Sequence, residues 1–310
     1  MYSNYHIKQL NKDRLKDLAI LHLAVYQREV PADFFEKKYA TAYTGREYIG
    51  YIAYADDDIP VGYYGVIPCF LNYGGEKLLS AQSADTMTHP GYRFKGLFVE
   101  LASLCYALCR EQGIQLIFGF PNQNSYHGAV NKLGWQIAGQ MDCFTVRVKA
   151  ISFGTTVQRV GFLRSLYGNY VNWIVKRYTT TDYPDSLVEQ GYDGVHRDED
   201  YQHYKTYYHH HLLKLDNVVY WVKLQQGLVI GDIALRDEKD FDNAINGIRR
   251  IAATLGLQKI QFHISQGTVV HRLFAERFKP VPTFPVLFRD LGFGKTLERF
   301  RFSFGDIDIF

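Results

Sequence analysis

Apolar and polar positions alternate first with the period of a strand, then with that of a helix. Residues 5–10 predict a strand. Asn11 is placed to cap a helix that carries Leu15, Leu18, His22 and Val25 on one face, and a short second helix follows Pro31. Strand-like runs at 47–55, 61–72 and 77–88 are separated by the turn residues Asp56-Asp57-Asp58 and Asn72-Tyr73-Gly74-Gly75, which predicts neighbouring antiparallel strands. From Gly96 the period becomes helical. Leu97, Leu101, Leu104, Cys105 and Leu108 make the stripe, and Gly113 stops it. A short buried strand at 115–120 follows. Then comes a helix capped by Asn124 or Ser125 that ends at Gly134, and a last strand at 142–149.

Residues 150–190 are less regular, with a connecting helix expected over Val160–Lys176. Beyond 191 the pattern partly repeats. Strands at 218–224 and 228–235 precede a helix with Phe241, Ala244, Ile245, Ile248, Ala252 and Leu255 on one face, stopped by Gly256. Gly256-Leu257-Gln258-Lys259-Ile260 then echoes Gly113-Ile114-Gln115-Leu116-Ile117, which points to a duplicated fold.

The 310-residue length suits two compact domains, and 47% apolar with 15% aromatic residues supplies their cores. A net charge of +3, spread along the chain, gives no basic surface for nucleic acid or anionic membrane. No leader pattern opens the sequence and no apolar run spans a bilayer, so the expected location is cytoplasmic. Cys105 and Cys109 lie one helical turn apart on the apolar side and are expected to be buried thiols. His209-His210-His211, with His203 nearby, lacks the spacing and companion ligands of a metal site. Read as a helix, three consecutive histidines diverge, so no metal is assigned.

The chemistry concentrates at Thr88-His89-Pro90-Gly91-Tyr92-Arg93-Phe94-Lys95-Gly96-Leu97-Phe98, which closes a strand and opens a helix. Free amides and the positive end of the helix dipole meet there, beside Arg93 and Lys95, and Gly96 lets a ligand reach the backbone. This stretch resembles the pyrophosphate loop of the GNAT superfamily of acyl-CoA N-acyltransferases, [Q/R]-x-x-G-x-[G/A]. Arg93 and Gly96 match, whereas Phe98 replaces the small last residue. Pro121-Asn122-Gln123-Asn124-Ser125 followed by Lys132-Leu133-Gly134-Trp135 resembles the family's fourth-helix signature, with Val130 where the family has a tyrosine acid.

The resemblance implies an α/β fold of the α+β type: two GNAT-like domains, each a mixed, mostly antiparallel sheet flanked by helices. The first, over 1–150, would bind acyl-CoA; 151–190 would connect; and 191–310 would be a degenerate copy. In that copy Asp237, Glu238 and Asp240 stand at the loop position and repel a diphosphate. The implied cofactor contacts are Thr86, Met87, Thr88, Arg93, Phe94, Lys95, Gly96, Leu97, Phe98, Asn122, Asn124 and Ser125. Thr86-Met87-Thr88 would pair with the pantetheine arm and supply the oxyanion donor.

Transfer to an amine needs a proton acceptor, an oxyanion donor and help for the leaving thiolate. Asp85 is the carboxylate nearest the strand end, with a strand-end hydrogen bond as its other role. His89 is a second base candidate, and Tyr126 is the substitute acid one turn before Val130. The resemblance also offers a terminal carboxylate as base, here that of Phe310, but Asp306, Asp308 and Phe310 read rather as an edge strand with exposed acids. The expected reaction is acetyl transfer from acetyl-CoA to a primary amine of a small molecule, an amino sugar or amino acid, through a ternary complex. The rivals are an aminoacyl- or peptidyl-transferase of paired GNAT-like domains and a non-catalytic CoA-binding protein. The balanced charge opposes the first; Phe98 and Val130 favour the second.

Overall fold

The computed structural model describes residues 5–153 and 161–310. Its strands are β1 (His6–Gln9), β2 (Ile49–Tyr54), β3 (Pro60–Tyr73), β4 (Glu76–Thr88), β5 (Leu116–Gly119), β6 (Gln136–Arg147), β7 (Gly194–Val195), β8 (His211–Leu215), β9 (Val218–Leu224), β10 (Leu228–Ala234), β11 (Lys259–Ser265) and β12 (Val281–Asp290). The helices are α1 (Leu15–Tyr26), α2 (Phe34–Lys38), α3 (Leu97–Glu111), α4 (Gln123–Leu133), α5 (Gly161–Val175), α6 (Ser186–Glu189), α7 (Glu199–Tyr204), α8 (Phe241–Thr254) and α9 (Val269–Ala275). They form two compact units that do not follow sequence order. The first holds 1–138, 195–207 and 285–298; the second holds 139–194, 208–284 and 299–310.

In the first unit β1, β2, β3 and β4 pair antiparallel in succession, as the alternation predicts, and β5 joins β4 in parallel. Strand period sends neighbouring side chains to opposite faces. Tyr63 meets Tyr39, just past α2, and Tyr64 meets Tyr106 of α3. The α3 stripe buries Leu97, Leu101, Cys105, Leu108 and Cys109 against Ile49, Ala53, Val66 and Ile117. Each fully buried aliphatic side chain there contributes about 1.5–3 kcal/mol. The sheet's last strand comes from far along the chain, because Leu287–Asp290 of β12 pair antiparallel with Leu116–Gly119 of β5.

The expected last strand of the first half lies instead in the second unit. From Gly139 onward β6 belongs there, and Met141–Arg147 pair with Lys259–Ser265 of β11. β11 runs parallel to β10, which is antiparallel to β9, and β9 to β8. The helix expected over Val160–Lys176 appears as α5, with Val160 outside the described residues. It does not act as a linker: Tyr167, Val171, Ile174 and Val175 lie in the second unit's core with Phe241, Ile245, Ile248 and Phe274. The apolar residues of α5 must be covered, and the second unit's core does so.

β4 and β10 each lie between an antiparallel and a parallel neighbour, and each carries one extra residue opposite its antiparallel partner. The shifts fall between Tyr63 and Gly65 on β3 and between Ile230 and Asp232 on β10. Residues 299–310 do not form an edge strand with exposed acids. Asp306 is buried in a capping box with Ser303, and the buried Phe310 ring lies 2.5 Å from where a Gly231 Cβ would stand. The segment is too apolar to sit at an exposed edge, with Phe300, Phe302, Ile307 and Phe310 all buried.

Candidate active site

The first unit's β4 loses its parallel partner early. It pairs with β5 at Ala81↔Ile117 and Gln82↔Phe118, while its ladder with β3 continues to Thr88↔Gly62. The His89 amide donates to Val61 O at 2.9 Å, toward β3. Successive strand amides point to opposite edges, so the Thr88 amide faces the other edge. That open edge begins at the bulge, where Asp85 adopts a left-handed backbone with φ 51°.

Asp85 reaches the place the sequence gave it, but its oxygens are already engaged. Lys38 Nζ donates to Oδ1 at 2.7 Å and Tyr39 OH donates to Oδ2 at 3.0 Å. The Lys38 side chain is 1% exposed, and its carbonyl accepts a hydrogen bond from Tyr204 OH. Burial, then the Asp85 charge, pushes the Tyr39 hydroxyl well above its ordinary range, so it stays a donor. Sequence reasoning missed Lys38 and Tyr39. The available signal was a lysine sharing one helical face with Phe34 and Phe35.

His89 caps a turn. Its Nδ1 accepts from the Gly91 amide at 3.2 Å, opening the short turn Pro90–Tyr92. The lone pair a base would use is therefore directed at the backbone. Arg93, Phe94, Lys95 and Gly96 are exposed, with Phe94 and Gly96 at φ 63° and 87°. The first turn of α3 turns its amides outward, because the first backbone bonds to Gly96 O come from Val99 and Glu100. Leu97 offers only backbone, its side chain being buried beside Gly62. Met87 is likewise buried, whereas Thr86 and Thr88 are half-buried.

Phe98 does not crowd the loop. Its ring points between α3 and α4: a Cβ on Gly128 would stand 2.7 Å from its Cε1, and the Tyr64 ring lies 5.7 Å away. The helix cap is Asn122, not Asn124 or Ser125, because its Oδ1 accepts from the Asn124 and Ser125 amides at 2.9 and 3.2 Å. An extended residue whose short side chain can reach N2 and N3 serves best, and Asn122 has that backbone. Tyr126 and Val130 both pack partly buried against the first unit's core. Beneath them Trp135 Nε1 donates to Tyr106 OH at 2.7 Å, and Tyr106 OH bonds Tyr64 OH at 2.9 Å.

In the second unit the acids before α8 are held locally. Asp237 Oδ1 accepts from the Lys239 amide at 2.9 Å, and Glu238 pairs with Arg272 at 2.6 Å. The histidine run is not helical: His211 begins β8, and its ring lies 4.6 Å from that of His209. Among the described residues no group of three or more His, Cys, Asp or Glu is arranged to hold a metal, and no helix is long and apolar enough to cross a membrane. All four cysteines are buried and unbridged. The hydrogen bond with Cys109, then burial, pushes the Cys105 thiol up, which suits a packed thiol rather than a nucleophile.

Residues 6–149 match the family described as acetyltransferase (GNAT) domain. No curated protein matches the chain. Among solved structures, a conserved Enterococcus faecalis protein of unknown function, a probable N-acyltransferase, is similar at TM-score 0.64 and 13% identity, over 96% of this chain and 75% of that one. A GCN5-related N-acetyltransferase from Kribbella flavida gives 0.59 and 12%, over 93% and 72%. N-myristoyltransferase from Saccharomyces cerevisiae with bound myristoyl-CoA gives 0.59 and 12%, over 93% and 82%. At these identities the structures share the fold.

Proposed function

We propose, from the match of residues 6–149 to an acetyltransferase (GNAT) domain, that the chain is an acyltransferase that moves an acetyl group from acetyl-CoA to a primary amine of a small molecule, of the amino-sugar or amino-acid class. The observation that carries the reading is the open edge of β4 beyond the Asp85 bulge, which leads through the Pro90–Tyr92 turn to the Arg93–Gly96 loop at the start of α3.

In this reading the diphosphate rests on the first-turn amides of α3, with Arg93 and Lys95 supplying charge. The pantetheine arm lies along Thr86–Thr88 as an added strand, and an amide of that edge donates to the thioester oxygen. The amine lone pair attacks the carbonyl carbon, the surplus proton on the nitrogen passes to water, the oxyanion collapses, and the C–S bond breaks. Tyr126 is assigned to protonate the departing thiolate. Asp85 and His89 enter as groups that hold the backbone, since their acceptor atoms are occupied by Lys38, Tyr39 and the Gly91 amide. Transfer is direct, because the cysteines are buried.

A thiol-release assay with acetyl-CoA and myristoyl-CoA against a panel of amines tests this. Turnover of acetyl-CoA with small primary amines is expected. Turnover of myristoyl-CoA alone contradicts the donor. Binding without thiol release from any amine returns the chain to a non-catalytic CoA-binding protein.

A further inference from the structure

Resting on that reading, we infer that Trp135 and Ser83 are specificity-determining residues, which close the inner end of the gap between β4 and β5 so that the donor must carry a short acyl chain.

The direction of the cofactor sets which end of the gap matters. With the diphosphate at the start of α3 and the pantetheine arm running from Thr88 to Thr86, the acyl group points on toward Ser83. Ser83 is the first residue of β4 beyond its last pair with β5, Gln82↔Phe118. On one face of the sheet this corner is filled. A Cβ on Gly119, the β5 residue after that pair, would stand 3.3 Å from Trp135 Cζ3 and 3.4 Å from Ser83 Cβ. The indole ring takes the place that a side chain at 119 would occupy. On the other face Gln82, Ala84 and Phe118 are all buried.

The ring is held in that corner. Trp135 Nε1 donates to Tyr106 OH at 2.7 Å, and Tyr106 OH bonds Tyr64 OH at 2.9 Å, with all three side chains buried. Turning the indole aside would break a buried hydrogen bond and leave a void. Ser83 adds a polar surface. It is half-buried, and its hydroxyl donates to Tyr64 OH at a long 3.4 Å. Methylene groups laid over that hydroxyl would take it out of water and offer no partner in return. A long acyl chain meets both the ring and the hydroxyl, whereas an acetyl group has a single carbon to place beyond the carbonyl.

The two barriers separate by substitution. Trp135→Leu shortens the wall and keeps it apolar, and the ratio of kcat/KM for octanoyl-CoA to that for acetyl-CoA should rise by about tenfold or more. Ser83→Ala removes only the hydroxyl, and the same ratio should rise by about fivefold. A purely structural role would lower activity with both donors alike and leave the ratio where it was.

The experiment measures kcat/KM and calorimetric Kd for acetyl-CoA and octanoyl-CoA in the wild type, Trp135→Leu and Ser83→Ala, with melting temperatures alongside and the fastest small primary amine as acceptor. The wild type is expected to prefer acetyl-CoA by about a hundredfold or more in kcat/KM. A preference under about tenfold overturns the inference, and so does a ratio that neither variant changes. If Trp135→Leu does not fold, Ser83→Ala decides alone, and an unchanged ratio overturns the inference. If the wild type binds acyl-CoA but turns over no amine, the same tenfold limit is read on Kd. A wild type that turns over octanoyl-CoA as well as acetyl-CoA leaves the acyltransfer reading standing. A wild type that binds no acyl-CoA overturns both.

Discussion

Asp85 of β4 and Asp232 of β10 each follow by four residues the first pair that their strand makes with its parallel neighbour. Ala81 of β4 pairs with Ile117, and Leu228 of β10 pairs with Ile260, the two isoleucines that end the echoed Gly113 and Gly256 segments. Asp85 (four on from 81) lies in the register shift of β4, and Asp232 (four on from 228) is the first paired residue beyond the shift at Gly231. One carboxylate holds Lys38 and Tyr39; the other holds Ser186 and its own successor's amide. Asp232, in the unit without the basic loop, accepts from the Ser186 and Ile233 amides, so an acid beside such a register shift can serve the backbone.

Removing that service from the second unit should be expensive. Asp232 is 0% exposed, and Asp232→Ala strands the Ser186 hydroxyl and the Ser186 and Ile233 amides. A loss of about 3 kcal/mol or more is expected in urea unfolding of the full chain, with Asp232→Asn losing less. A loss under about 0.5 kcal/mol for Asp232→Ala would show that the bulge stands without it.

The Phe98–Gly128 contact predicts a size swap. Gly128→Ala places a methyl 2.7 Å from Phe98 Cε1 and should destabilise by about 1–3 kcal/mol. Phe98→Leu should recover most of that loss in the double variant while costing stability alone. Thermal melts of the four proteins read the coupling. Additive losses would mean that the ring is not wedged against α4.

Acid should weaken the second unit through two imidazoles. Burial lowers His263 to about 4, and burial, then the nearby His209, lowers His211 to about 4, from an ordinary 6.5. Both are neutral when folded and take up a proton on unfolding below pH 6.5. Their contribution is therefore complete above that pH and is lost as pH falls toward 4. At about pH 5 the expected loss is about 2 kcal/mol per imidazole. Urea midpoints should fall between about pH 7 and about pH 5, and His263→Gln should flatten the change. An unaltered slope in His263→Gln would assign the acid sensitivity elsewhere.

The sequence made the strand meander, the α3 stripe, the basic loop and the second-half helix legible, because each is a local periodicity bounded by glycine. It did not reveal which strands pair across long separations. The partner of β5 lies at Leu287–Asp290 and that of β6 at Lys259–Ser265, and alternation within a strand says nothing about its neighbour. At the site, the Arg93–Gly96 loop was readable, but the state of Asp85 was not. It depends on Lys38, from a helix of five residues too short to show a period. Asn122 lost the cap to its neighbours on paper because all three residues are good caps, and only backbone angles separate them.

The central claim is that the loop at the start of α3 receives the diphosphate of an acyl-CoA. Gly96 is exposed at φ 87°, with nothing within 4 Å of where a Cβ would stand. Gly96→Asp therefore adds a carboxylate and backbone strain at the anion site without disturbing a core. Calorimetric titration of acetyl-CoA into wild type and Gly96→Asp, with melting temperatures recorded alongside, is the most direct test. Binding by the wild type that falls by about a hundredfold or more in the variant, with the fold retained, is the predicted result. Equal affinities in the two proteins would contradict the assignment.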